Sequence, residues 1–575
     1  MAEPKQGNEQ MTDKPRIAYL SGANATISNS PPLVTSNKAR ALYGLPPKTN
    51  PDGSAPRFDV LRPQRLAAPA TVYVEQFSAH PLEADAADLY GPPDGYIDAA
   101  GAFHAERQSD DDTPVYKIEL TPEDGLYPMP YMARQADGSA WEDDCAFPGA
   151  PAEKSRQAYY PDGSRIFEEI DRFGIAEDGT GNLISQHADV DFFRVMPSGG
   201  YTKGLAAADR TDNGDGDIEP ETMGRDFFAY RPVHLATSPS RGWLARIVNE
   251  IQAILDTGDY LGAIWTQGSP RVEETLYWLN LLLDTALPVC GNAAQRTHGE
   301  ISNDGPKNLV DSVDYITSEI WRDGNGKNRA GTVVIQEQQI FASREVQKGE
   351  ARPGGYVATG GHGGLLGAVR HGMPPILTYL PGARHTYLSD VNRSRLPESV
   401  TGNLRKGNAF EAVEVAIKNS DGALREDAVP TVTILKEGNY SPESWDSGPE
   451  REVDILAQMD DNLENAPLSG FVVEGQSPYG SMTSSVRNAL MTKAVFSGIP
   501  VVRVGRGNNE GFSAPAGVFL GGGNLTSTKA RLLLIACLMK FGALPPAANP
   551  DNPTDAERSR IMDKLAGYQT VFDTH

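Results

Sequence analysis

A serine at the end of a short apolar segment is the first residue of this chain whose setting allows chemistry. Leu261 to Trp265 is strand-like, Gln267-Gly268-Ser269-Pro270 forms a glycine-containing loop, and a helix then opens with Glu273 and Glu274 and continues Tyr277, Trp278, Leu279. In an α/β sheet, ligands bind outside the carboxyl ends of parallel strands, so the Ser269 hydroxyl stands where a reacting group is expected. A second hydroxyl, Thr26, follows the strand-like Arg16-Ile-Ala-Tyr-Leu20 in a loop of small polar residues, Ser21 to Ser30. Alone, a threonine in such a loop reads as a solvated turn residue. A hydroxyl is a poor nucleophile at neutral pH and needs a base. A lysine desolvated in a pocket can lose its proton and serve as one.

The elements that must position these groups follow from periodicity. Trp243 to Leu255 carries apolar residues at helical spacing: Trp243, Leu244, Ile247, Ile251, Ile254 and Leu255. A strand at 261–266, a helix at 272–283, a strand at 286–290, a helix at 305–318 and a strand at 331–336 come next. This alternation predicts a parallel sheet with right-handed crossovers. A second β-α-β set comprises strands at 431–435 and 470–474, a helix at 483–496 and a strand at 499–504. The last expected helix is Lys529 to Phe541, with Thr526 or Ser527 as N-cap and Gly542 just past its end. Between about 45 and 230 the texture changes to Pro, Gly, Asp and aromatics. Only fragments such as Thr71 to Glu75, Val115 to Leu120 and Asp191 to Val195 alternate like strands. The expected fold is α/β, two domains with parallel-type sheets plus a β-rich, irregular insertion. Its boundaries are a tail at 1–14, an N-terminal catalytic domain at 15–385 interrupted by the insertion, a connection at 386–430 and a C-terminal domain at 431–575.

Six stretches, in order, resemble the bacterial-type asparaginases. Thr266-Gln-Gly-Ser-Pro-Arg-Val-Glu-Glu-Thr275 is similar to that family's Thr-x-Gly-Thr-Asp-Thr-x-Glu-Glu-Thr. Gly291-Asn-Ala-Ala-Gln-Arg296 with Ile301-Ser-Asn-Asp-Gly-Pro-Lys-Asn-Leu309 resembles Gly-Ala-Met-Arg-Pro with Ile-Ser-Ala-Asp-Gly-Pro-x-Asn-Leu. Val334 to Lys348 resembles Val-Val-x-Asn-Asp-Glu-Ile-x-x-Ala-Arg-Asp-Val-x-Lys, and Gly363 to Val369 a Gly-Pro-Leu-Gly turn. Gly470 to Gly475 with Gly498 to Val502, and Gly523 to Leu534, match the C-terminal strands and last helix. Ala23-Asn-Ala-Thr26-Ile-Ser28 keeps Thr26-Ile27 of the Thr-Gly-Gly-Thr-Ile-Ala loop but replaces its glycines by Asn24 and Ala25. The resemblance covers about 15–30 and 235–575 and leaves the insertion unexplained.

Position by position, the resemblance makes Thr26 the nucleophile, Ser269 the second catalytic hydroxyl and Lys348 the catalytic lysine. Gly268, Pro270, Ser238, Ser477 and Tyr479 fall in the substrate-binding positions. Pro270 stands where the family holds an Asp that grips the substrate's ammonium; proline has neither charge nor N–H. The Asp-Ser pair for the substrate carboxylate and amine is also unrecognisable in Arg231 to Ser240, although Thr237 or Ser238 could substitute. The implied activity is hydrolysis of a small-molecule amide, lactam, imide or hydrazide other than an α-amino acid amide. Two alternatives stand: an asparaginase or glutaminase proper, and a non-catalytic binding protein on the same fold. The family also implies a homodimer or homotetramer, with the loop Gly475 to Met482 facing a partner's site.

Composition narrows the rest. The 575 residues carry a net charge of −24, and no basic stripe with interleaved aromatics appears, so nucleic-acid binding is not expected. No run approaches the roughly 18 apolar residues a membrane helix needs, and Met1 to Lys14 lack an apolar signal core. The three cysteines, Cys145, Cys290 and Cys537, suit a reducing cytoplasm and form neither a disulfide framework nor a metal cluster. Neither a cofactor nor a metal is expected. Thr211 to Thr222 has calcium-loop spacing around Asn213 and Asp215, but threonines occupy its first and twelfth positions, so an acidic surface turn is the simpler reading and calcium stays open.

Overall fold

The structure, a computed structural model, describes residues 240–296, 304–351, 354–358, 364–407, 409–438, 452–506 and 513–575. Before residue 240 it describes 15–21, 93–98, 103–120, 187–194 and the short strands named below. Thr26, Ser238 and the acidic loop at 211–222 lie outside the described residues.

A ten-stranded sheet forms the first half. Its labelled strands are β1 (Arg16–Ser21), β2 (Asp189–Arg194), β3 (Gly262–Thr266), β4 (Val289–Asn292), β5 (Thr332–Gln336) and β6 (Gln339–Ala342). After β6 come the hairpin strands β7 (Val346–Lys348) and β8 (Tyr356–Ala358), which pair only with each other, and then β9 (Leu365–Arg370) and β10 (Met373–Leu377). The order is β10-β9-β6-β5-β4-β3-β1-β2, followed by Thr202–Lys203 and Asp59–Val60. From β2 through β5 all pairings are parallel, joined by α1 (Trp243–Leu255), α2 (Arg271–Leu282) and α3 (Gly305–Thr317).

Strand alternation divides the core. Ala18, Leu20, Ala263 and Trp265 face one apolar cluster while Ile17, Tyr19 and Ile264 face the other, the period of two that a pleated strand imposes. The first cluster runs without a break into the second half, through Trp278 and Leu282 to Phe471, Leu533 and Leu534. At Gly291, a Cβ would lie 2.5 Å from the Leu276 side chain, so glycine there lets α2 settle against β4.

The second half is a four-stranded parallel sheet in sequence order: β13 (Thr431–Lys436), β14 (Ser469–Gly475), β15 (Val501–Gly505) and β16 (Leu520–Gly521). It is preceded by the hairpin of β11 (Ser399–Lys406) and β12 (Ala409–Ala416), inside the stretch read as a polar connection. That stretch buries Val391, Leu396, Ile417, Leu424 and Val429, so it carries core as well as chain. The helices are α4 (Val453–Asn465), α5 (Ser485–Phe496), α6 (Ser527–Phe541) and α7 (Asp555–Thr574). Thr526 is the cap of α6, accepting the Lys529 N–H, and Gly542 ends it at a φ of 73°.

Two differences from the sequence reading are physical. Helix α6 is not the last: α7 follows, with Thr554 and Glu557 closing a reciprocal capping box. Its buried face is a thin line of Ile561, Leu565, Tyr568, Val571 and Phe572 on an otherwise polar helix, which is why its periodicity is weak. Strand β2, within the boundaries drawn for the insertion, pairs in parallel with β1 over its whole length. Elsewhere in that region, among the described residues, Ala70–Val74, Thr113–Leu120, Gly95–Ile97 and Phe103–His104 form one sheet, and Tyr131–Met132 pairs with Gln157–Ala158.

Candidate active site

The loop between β3 and α2 is pinned at both ends. Gln267 donates its N–H to the Asn292 carbonyl at 3.1 Å, and its side-chain oxygen accepts from the Trp265 indole at 3.0 Å. Pro270 is the N-cap residue of α2, with its carbonyl accepting the Glu273 N–H. Ser269 is thereby held at the carboxyl end of β3, and the Ser269–Pro270 peptide bond is cis.

Lys348 arrives on the small hairpin. It ends β7, where its register partner across the ladder is Tyr356 of β8. The Tyr356 hydroxyl donates to Ser269 Oγ at 2.6 Å, and Lys348 Nζ lies 5.5 Å from the centre of the same ring. An ammonium at that distance from an aromatic face is attracted by the ring quadrupole. Burial raises the Tyr356 phenol above its usual range, against the lowering influence of the Ser269 bond, so it stays protonated and acts as a donor. Ser269 Oγ then accepts, which leaves its own proton to be directed elsewhere.

Behind this trio sit two buried titratable groups that act on each other electrostatically. Glu273, on α2, accepts the Lys348 backbone N–H at 2.6 Å. Burial pushes its carboxyl up to about 7, opposed chiefly by Lys529. Lys529 of α6 is 1% exposed and burial lowers its ammonium, with Glu273 acting in the opposite sense. Its Nζ donates to the carbonyls of Ser343 at 2.8 Å and Arg344 at 2.9 Å, and also to that of Val346. The turn leading into β7 is therefore clasped by a side chain from the second half of the molecule.

The Asn-Asp-Gly-Pro motif has a structural part in this assembly. Asp304 is buried and accepts the N–H groups of Gln295 and Arg296 at 2.9 and 2.8 Å, together with the Gln336 amide. It ties the loop after β4 to the end of β5.

Of the residues read from sequence, the structure brings Ser269, Pro270, Gly268 and Lys348 into one region. Ser477 and Tyr479 lie on the loop after β14, at the carboxyl end of a different sheet, where Tyr479 is 61% exposed. Thr26 and Ser238 cannot be placed, being outside the described residues. Tyr356 was not foreseen; it lies eight positions past Lys348 in a Gly-Gly-Tyr segment with no local signature of function, and only hairpin register reveals it.

No group of three or more His, Cys, Asp or Glu is placed to hold a metal ion among the described residues. Nor is any helix among them long and apolar enough to cross a membrane.

Residues 238–363 match the family model described as asparaginase, N-terminal, a stretch that contains Ser269, Lys348 and Tyr356. This stretch is similar to the N-terminal part of asparaginases. The chain is 34% identical over 106 residues to a glutaminase-asparaginase of Acinetobacter glutaminasificans, covering 18% of this chain and 29% of that protein. It is 29% identical over 143 residues to L-asparaginase 2-3 of Saccharomyces cerevisiae, covering 24% and 37%. With L-asparaginase 2 of Bacillus subtilis the identity is 32% over 105 residues, covering 18% and 26%. The chain thus spans about a third of the length of these curated relatives. Among solved structures, a probable cytoplasmic L-asparaginase from Campylobacter jejuni aligns with a TM-score of 0.45 at 18% identity, over 72% of this chain and 92% of that one.

Proposed function

We propose that the chain hydrolyses a carbon–nitrogen bond other than a peptide bond, in a small-molecule amide, lactam, imide or hydrazide. The observation that carries this reading is the meeting of Ser269, Tyr356 and Lys348 within the asparaginase-matching stretch. In this mechanism Thr26 attacks the carbonyl carbon as its proton passes toward the Ser269–Lys348 pair. The carbonyl π-electrons move onto oxygen, where backbone N–H groups near Thr26 and Ser269 stabilise the oxyanion. Collapse expels the amine with a proton, and water then releases the acyl group from Thr26.

Pro270 sets the substrate class. It offers no carboxylate to an α-ammonium group, so the favoured substrates lack one. The names of the relatives support a second reading, asparagine or glutamine hydrolysis. Ammonia release from a panel containing asparagine, glutamine, simple amides and lactams separates the two. Turnover of the amine-free amides supports the first reading; turnover confined to asparagine and glutamine replaces it with the second. Absence of hydrolysis across the panel would leave the fold without the activity.

The active unit in this reading is a homodimer or homotetramer in which the Ser477–Tyr479 loop approaches a neighbouring subunit's site. The exposed Tyr479 ring at a strand end supports this, since such loops are natural ligand contacts. Light scattering at working concentration tests it; an active monomer overturns it.

A further inference from the structure

We propose that a cleft beside α2, reaching back to Gln267 of the loop that carries Ser269 but not lined by Ser269 itself, is a binding site for a small carboxylate with an apolar body. The cleft has a volume of about 450 Å³ and is walled by α1, Gln267 of the β3–α2 loop, the first turn of α2, the start of β13 and α6. Both halves of the molecule therefore contribute to it. Its size falls within the roughly 300–1,000 Å³ typical of small-molecule sites.

The lining combines two chemistries. Trp243 of α1 and Ile535 of α6 give it apolar surface, while Arg241, Arg271 and Arg531 bring three guanidinium groups against one carboxylate, Glu274. Arg531 holds Glu274 at 2.9 Å, and Arg241 donates to the Thr431 hydroxyl. The Arg531 Nε is buried without a hydrogen-bond partner. In a chain whose net charge is −24, three guanidinium groups lining one cleft stand out. Guanidinium groups present paired N–H donors that match a carboxylate, and the apolar wall accommodates the rest of such a ligand.

On α2 itself, the cleft and the candidate catalytic cluster use different faces. Arg271, Glu274 and Thr275 stand at i, i+3 and i+4 on one face of α2 and line the cleft, whereas Glu273 turns to Lys348. The site does not depend on the hydrolytic reading, and its occupation can be measured without any substrate turnover.

Isothermal titration calorimetry of the full chain with phenylacetate tests the assignment, using 2-phenylethanol as the uncharged counterpart. Saturable binding of one phenylacetate per chain is expected, with the alcohol weaker by roughly tenfold or more. Arg241→Gln removes an exposed guanidinium, and Arg271→Gln a second; weakening by roughly tenfold in either variant supports the site. Ser269→Ala, at a residue that does not line the cleft, leaves binding unchanged. Equal binding of acid and alcohol, retention of full affinity in both arginine variants, or no saturable phenylacetate binding overturns the proposal. Loss of binding in Ser269→Ala also overturns it, because the ligand would then belong to the serine site.

Discussion

Tyr356 touches both Ser269 and Lys348: its hydroxyl donates to Ser269 Oγ at 2.6 Å, and its ring lies 5.5 Å from the Lys348 ammonium. The pairing of Lys348 with Tyr356 across the β7–β8 ladder puts these two side chains on one face of the hairpin. The serine comes from a separate strand end. One aromatic residue therefore fixes the relative placement of a hydroxyl and a cation that the chain separates by 78 positions, from 270 to 347.

Tyr356→Phe keeps the ring beside Lys348 and deletes only the bond to Ser269. The expected cost in stability is about 1 kcal/mol, that of one hydrogen bond. We expect kcat to fall roughly tenfold with a smaller change in KM, the pattern of a group that acts by orienting the reacting hydroxyl. Parent-level kcat in steady-state assays would reduce the bond to a structural one.

Lys348→Met removes the amine while preserving the tie to Glu273, which runs through the backbone N–H. Turnover should fall by roughly 10²–10⁴, the usual span for a lost acid–base partner, with a melting temperature near the parent's. A large drop in Tm would make the lysine structural, and full activity would make it incidental. Thr26→Ala should lose at least as much turnover if its hydroxyl is the attacking group.

Asparagine and succinamate, the same amide without the α-amine, report on Pro270. A missing charge-assisted hydrogen bond is worth about 1.5–3 kcal/mol, so kcat/KM for succinamate should exceed that for asparagine by roughly tenfold or more. Efficient turnover of asparagine and slower turnover of succinamate would reverse the substrate assignment.

Glu273 makes stability fall as pH rises. Its folded-state carboxyl is held above the unfolded value of 4.5, at about 7, so between these pH values the folded chain binds more protons than the unfolded chain. Its contribution is complete below pH 4.5 and is lost as pH climbs through 7. Urea unfolding of parent and Glu273→Gln across this window should show a shallower decline in the variant. Parallel pH profiles would mean that the carboxyl titrates normally.

The β-α-β alternation was legible because buried parallel strands are short apolar runs and α1 carries a wide apolar stripe. The strand expected at 286–290 forms three residues later, since Leu287-Pro-Val begins as an irregular approach and pairing with β3 starts only at Val289. The Ser269 loop could be found because a strand end is a local feature. Tyr356, Glu273 and Lys529 could not, for opposite reasons. Tyr356 gains its meaning from ladder register, while Glu273 and Lys529 read as ordinary exposed charges until the packing of α2 against α6 buries them.

Lys529 also decides what part of this chain could stand alone. Its ammonium satisfies the carbonyls of the turn that presents Lys348, yet it enters from a helix more than 160 residues beyond the end of the asparaginase-matching stretch at 363. Excised from the rest, that stretch would lose the donor for this turn and the apolar partner of α2 together. The segment with the plainest likeness to known proteins is thus not a portable module, and a shortened chain lacking α6 would carry the motif without the means to hold it in shape.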